Sequence, residues 1–199
     1  MAFRRILLYP SKELVEKSTV VTDFTAAQSV VEDLKDTLNV AGGVGLSAPQ
    51  IGIHTRVIFV NTPEFSGEMI NPVIVETSDA VSMSEGCLSF PGIFENIDRY
   101  SKVKVEYKKL DGKKIVRELT GLAAQVVQHE IEHLDGKLLV DQLSRLKRQM
   151  ISRKIQKTKR KSSLLFLDVD DTKTSRVKKN TGLSRKEIKN RRRRRKQNR

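Results

Sequence analysis

The spacing of apolar and polar positions along this chain changes several times, and each change marks an element. From Thr25 to Asn39 the apolar residues Ala27, Val30, Val31, Leu34 and Leu38 recur three and four apart, which predicts an amphipathic helix. Thr22-Asp23-Phe24 offers its start, and Asn39 with the glycines after Ala41 its end. Arg56 to Asn61 is an apolar run of strand length, read as a buried strand. Glu68 to Glu76 is read as another strand, with Pro72 marking an edge or an irregularity. Tyr100 to Leu110 alternates, Val103, Val105 and Tyr107 against Lys102, Lys104, Glu106 and Lys108, as a half-buried strand does. Asp111-Gly112 predicts a tight hairpin turn that returns through Lys113 to Leu119. Helical spacing then runs through Leu122, Ala123, Val126 and Val127 to His133, with Thr120 as N-cap and Gly136 just past the end. A basic amphipathic helix is expected from Ser144 to Arg160, where Leu146, Met150, Ile151 and Ile155 sit among Lys and Arg. Ile6 to Pro10 reads as an edge strand or an extended lead-in. The predicted class is α+β: antiparallel β-sheets packed around a central α-helix, followed by a basic C-terminal helix and tail.

Charge divides the chain sharply. Residues 1–144 hold 15 Lys+Arg and 20 Asp+Glu, a balance of −5. Residues 145–199 hold 23 and 4, a balance of +19, and the two sum to the net +14. A mildly acidic folded domain is thus expected over 1–143, a basic helix over 144–160 and a basic tail over 161–199. That tail has one apolar patch, Leu164 to Leu167, and ends in the run Arg191 to Arg195. The single cysteine excludes an intrachain disulfide and suits a reducing compartment. No apolar run approaches the roughly 18 to 20 residues that span a bilayer. Arg4-Arg5 is followed by only Ile6 to Tyr9 before Pro10, too short for a signal-peptide core. A soluble, cytoplasmic protein with no membrane partner is expected.

Candidate chemistry concentrates in three stretches. Gln128-His129-Glu130-Ile131-Glu132-His133 carries His-Glu-x-x-His on the central helix, where residues four apart share a face. His129 and His133 can offer two imidazoles to one metal ion, with Glu130 beside the open position. Packed or solvated histidines remain the plain alternative. Cys87 lies in Ser84-Glu85-Gly86-Cys87-Leu88-Ser89-Phe90-Pro91-Gly92, although a lone cysteine is commonly a small buried apolar residue. Gly42 to Gly52 permits close backbone approach, or is an ordinary helix-to-strand connection. It is no phosphate loop, since no Gly-Lys-Ser/Thr follows. His54 reads as a surface or turn residue.

Taken in order, Gly43-Val44-Gly45-Leu46-Ser47-Ala48-Pro49-Gln50, Glu85-Gly86-Cys87-Leu88-Ser89 and Gln128 to His133 resemble the three signature motifs of the peptide deformylase family. The resemblance extends over residues 1–155 or so. Two positions depart from the pattern: Glu132 stands where the family usually has Asp, and Ser47 replaces a common Ala. The resemblance implies hydrolysis of the formyl group from N-formyl-methionine at the N-terminus of nascent proteins. It implies one divalent metal on Cys87, His129 and His133, ferrous iron in the first place, with Zn2+ or Ni2+ able to substitute. Glu130 would be the proton carrier, and Gln50 with the Leu88 N–H would stabilise the oxyanion. Substrate backbone would run along Val44, Gly45 and Gly86, and Val44, Met83, Leu122 and Val126 would line the methionine pocket. Glu85 and Arg99 would form an ion pair holding the Cys87 loop. Residues 144–199 would contact the ribosome or ribosomal RNA, or act as a solubilising tail, with Arg191 to Arg195 as a localisation signal in a third reading. Two rival functions are a His-Glu-x-x-His metallopeptidase, for which no downstream histidine ligand exists, and an RNA-binding protein with a vestigial core.

Overall fold

The computed structural model describes residues 3–161; expectations for 162–199 lie outside the described residues. The first helix, α1 (Phe24–Ala41), starts at Asp23, whose carboxylate accepts from the Thr25 and Ala26 N–H groups. It ends at Gly42, whose left-handed backbone stops the helix two residues later than the periodicity alone suggests. The strands are β1 (Gly45–Ser47), β2 (Val57–Asn61), β3 (Ser66–Gly86), β4 (Phe94–Lys108) and β5 (Lys114–Thr120). They pair antiparallel in the order β1-β2-β3-β4-β5, so the ladder is one continuous five-stranded sheet. The central helix, α2 (Gly121–Leu134), and the basic helix, α3 (Arg145–Lys161), follow.

Several local expectations are sharpened or corrected. The stretch read as a glycine-rich connection contains a strand, because Gly45 to Ser47 pair with Ile58 to Val60. The segment after Glu76 continues as strand to Gly86 and pairs with Phe94 onward, forming a long two-stranded arm. Pro72 is an irregularity: the β3–β4 register shifts between Ile70 and Val73, beside Asn71 at φ +52°. The hairpin is looser than a two-residue turn. Lys109 pairs with Lys113, Gly112 N–H donates to the Lys109 carbonyl, and Gly112 takes φ +77°. That is a three-residue loop closed by a left-handed glycine. Thr120 does precede α2, but its side chain makes no capping bond. Ile6 to Pro10 is an extended lead-in: Leu7 N–H donates to the Gln50 carbonyl and Tyr9 N–H to the Ser89 carbonyl.

β2 is buried on both faces, and its alternation divides the core. Ile58 and Val60 join Met69, Val103, Val105, Tyr107 and Leu119 against Ala123, Val127, Ile131 and Leu134 of α2. Val57 and Phe59 face the other way, toward Val31, Leu34 and Leu38 of α1. A third cluster joins Phe90, Ile93 and Ile97 to Leu139, Leu143, Ile151 and Ile155, and so fastens α3 beside the turn that follows Cys87.

Candidate metal centre and active site

α2 is packed on nearly every side, and its polar residues are therefore buried, each needing a partner. Gln128 accepts from the Tyr100 N–H and donates to the Tyr100 carbonyl, pairing with β4 as a peptide group would. Gln125 donates to the Ser84 carbonyl. His129 and His133, one turn apart, hold their ring centroids 4.8 Å from each other. The turn after β3 brings Cys87 to them: Sγ lies 3.3 Å from His133 Nε2. The ligand atoms of Cys87, His129 and His133 all lie within 4.8 Å of one another.

This donor set fits a metal. One thiol and two imidazoles suit zinc or ferrous iron, and three protein donors leave a position open, as in catalytic sites. His129 turns its other nitrogen to Glu85, with Nδ1 2.6 Å from Oε1, which fixes its tautomer and leaves Nε2 for the cluster. Arg99 holds Glu85 in turn. Its Nε and Nη2 donate to the two Glu85 oxygens, and its Nη1 and Nη2 donate to the two Glu132 oxygens, all at 2.8 Å. The guanidinium is thus clasped between β3 and α2. Burial by itself would raise the Glu85 carboxyl; the hydrogen bonds from Arg99 and His129 outweigh it and hold it at about 2. The same two carboxylates raise Arg99, against its burial. A cavity of about 400 Å³ lies on the outer side of this clasp, lined by Arg56, Arg99, Gln128, Glu132 and Asp135 rather than by Cys87.

Gln50 approaches from the opposite side. Its Oε1 accepts from both the Ser47 N–H and the Ser47 hydroxyl at 2.9 Å. That fixes which end of the amide is nitrogen, because Oε1 must be the acceptor. Nε2 then faces the cluster, 3.5 Å from Cys87 Sγ and 3.2 Å from Ser89 Oγ. Glu130 sits below, fully buried, with Oε2 lacking any hydrogen-bond partner. Burial lifts its carboxyl to about 7, with the His129 charge opposing only in part. Burial disfavours the charged ring of both histidines. At His129 the adjacent Cys87 and Glu85 overturn this and raise it well above the ordinary value. His133, with His129 as its charged neighbour, lies well below.

Close neighbours approach two of the glycines. A side chain at Gly45 would collide with Val126 and with the Glu130 carboxylate, and one at Gly86 would strike the Phe94 ring. Leu88 packs against Gly43 and the α1 cluster.

The family model for polypeptide deformylase matches residues 3–149. The chain belongs to that family. Among its deformylase relatives is a peptide deformylase of Helicobacter acinonychis, 38% identical over 140 residues, covering 66% of this chain and 80% of that protein. Among solved structures, a peptide deformylase from Legionella pneumophila superposes with a TM-score of 0.78 at 38% identity, covering 82% of this chain and 99% of that one. The deformylase from Ehrlichia chaffeensis in complex with actinonin gives 0.78 at 33%, covering 80% and 99%. As a member of the deformylase family, this chain is a hydrolase that removes the N-terminal formyl group.

Against the deformylase expectations, Cys87, His129, His133, Gln50 and Glu130 converge. Val126 lies over Gly45 and is buried. Val44, Met83 and Leu122 are part- to well-exposed and sit on three different segments. The Glu85–Arg99 pair forms, and it extends to both His129 and Glu132. Reading from sequence missed Ser47 and Ser89 as the groups that orient Gln50. Ser47 had a legible signal: Ser-Ala-Pro-Gln is a capping-box pattern, and the Ser47 N–H donates to the Gln50 side chain as that pattern requires. Ser89 had none, since its bond to Gln50 spans 39 positions. Glu132 departs from the common Asp, yet its carboxylate still reaches Arg99 with two bonds and receives Gln142 as well.

Proposed function

We propose that Cys87, His129 and His133 hold one divalent metal, ferrous iron in the first place, with zinc or nickel able to replace it. We propose further that the substrate is the formyl-methionyl end of nascent chains. The observation that carries this reading is the convergence of one thiol, two imidazoles and the Gln50 amide on a single point, with the buried Glu130 carboxyl beside it. A metal so held supplies a Lewis acid that makes water a nucleophile near neutral pH.

The chain's own residues do the rest. Glu130 takes a proton from water at its free Oε2 and delivers it to the departing amine; a carboxyl lifted to about 7 is suited to both duties. Gln50 Nε2 and the Leu88 N–H donate to the formyl oxygen as charge develops there. Ser47 and Ser89 keep the Gln50 amide from rotating. Glu85, held by Arg99 and Glu132, keeps the His129 ring in one orientation. The substrate backbone runs beside Gly45 and Gly86 as an added strand, and its methionine side chain points toward α2 at Val126, with Val44, Met83 and Leu122 around the mouth.

Residues 1–143 form the catalytic unit in this reading. Residues 144–160 and the tail 161–199, with their balance of +19 from Arg145 onward, contact ribosomal RNA by neutralising phosphates. The protein works in the cytoplasm. The deciding experiment measures formate released from a formyl-Met peptide by anaerobically purified, iron-loaded protein. Release is expected from the native chain; its absence from metal-replete protein would overturn the reading.

A further inference from the structure

We propose that Phe94 determines specificity for the second residue of the substrate, favouring a large apolar or aromatic side chain after the methionine. This rests on the reading that the substrate backbone pairs beside Gly86.

Phe94 is 72% exposed, the most exposed large apolar side chain among the described residues. The backbone around it is nevertheless anchored. On one side the Gly92 carbonyl accepts from Lys154 Nζ at 2.9 Å, and on the other Glu95 accepts from Lys147 Nζ at 2.6 Å, both from α3. Phe94 is the direct cross-strand partner of Gly86. Its Cε1 lies 2.6 Å and its Cζ 3.3 Å from where a Cβ on Gly86 would stand. The ring therefore occupies the side-chain space of Gly86.

The direction of the Gly86 backbone makes this matter. The Ser84 carbonyl accepts from Gln125 of α2, so Ser84 turns its peptide groups away from β4. The β3–β4 register is unbroken from Ala80 to Gly86. Gly86, two residues on, presents its N–H and C=O to the same free edge. A chain paired there, about 4.8 Å away, places one residue directly opposite Gly86. Opposite residues project to the same face of a sheet. That residue's side chain thus meets the Phe94 ring across a glycine that offers nothing between them.

Alternation identifies the residue. Cys87 follows Gly86 immediately, so the formylated end lies at the metal cluster. The methionine side chain turns inward to α2, and the next residue turns outward, to the exposed face where the ring lies.

The test uses the full-length, iron-loaded protein and formyl-Met-Xaa peptides identical except at Xaa, with Phe, Leu, Ser or Gly there. Phe and Leu are expected to exceed Gly in kcat/KM by about three- to tenfold, the size of an aromatic contact. The difference should lie in KM, because the contact is made before the chemical step. In Phe94→Ser the ratio of Phe to Gly peptides is expected to fall to within about twofold, while Phe94→Tyr retains it. Equal kcat/KM across the series in the native protein, or a ratio that survives Phe94→Ser, would overturn the inference and leave the formyl-Met reading intact. Formate released from none of the peptides would instead overturn that reading and this inference together.

Discussion

α1 and α2 are helices of similar length built on different principles. Only five of the eighteen residues of α1 are buried, and Thr37, which accepts from the Arg4 N–H, is the one polar residue among them. Eleven of the fourteen residues of α2 are buried, among them Gln125, Gln128, His129, Glu130 and His133. In α1 the apolar stripe alone does the packing, and a polar side chain such as Gln28 meets only its neighbour Glu32 one turn away. In α2 burial of polar groups is costly unless each has a partner. Gln125 and Gln128 find theirs in the strands, and His129 finds one in Glu85. Glu130 Oε2 and His133 Nδ1 remain without one. Both unsatisfied groups of α2 belong to the His-Glu-x-x-His motif. A helix that exists to stabilise and a helix that exists to hold reacting groups differ in where their polar atoms point.

Substitutions can break this contrast, starting with the largest effect. Glu130→Gln should lower kcat by roughly 10²- to 10⁴-fold, the range for a general acid–base group, while circular dichroism and metal content stay as in the native protein. A variant that keeps its rate would remove Glu130 from the chemistry. Arg99→Met strands the Glu85 carboxylate in the interior and frees one end of α2. About 3–5 kcal/mol of stability should be lost, as for breaking one side of a buried ion pair, and the loss is read from urea midpoints. Metal content per chain should fall with it, since His129 loses its fixed partner. Gln128→Leu leaves the Tyr100 N–H and C=O unpaired and should cost about 1–3 kcal/mol; a neutral result would show that water replaces the amide. At the other end of the scale, Gln28→Ala on α1 should change stability by no more than about 0.5 kcal/mol. A larger loss there would erase the distinction between the two helices.

Legibility in the sequence follows the same division. The α1 stripe, the alternation of Val103, Val105 and Tyr107, and the apolar run of β2 were readable because local periodicity reports a face. The His-Glu-x-x-His spacing was readable because helix geometry ties positions four apart. Cys87 was readable as a ligand only through its resemblance to a family motif, because its approach to His133 spans 46 positions. The arm from Thr77 to Gly86 was not assigned. Its burial pattern is mostly exposed, with no apolar alternation to mark it, and it is strand because β4 pairs with it. The hairpin loop was placed correctly but given the wrong length, since the Lys109–Lys113 pair that sets it is a cross-strand bond.

By itself the sequence determined the α+β class, the position of the central helix, the spacing of its two histidines and the split between an acidic domain and a basic extension. Each of these depends on neighbours within one or two turns, or on composition. Tertiary structure alone decided that Arg99 is shared between Glu85 and Glu132, that Ser89 holds the Gln50 amide, and that the Phe94 ring fills the space over Gly86. Most of these contacts join distant segments through charge and hydrogen bonding, which have direction but no period, so nothing in the local pattern announces them.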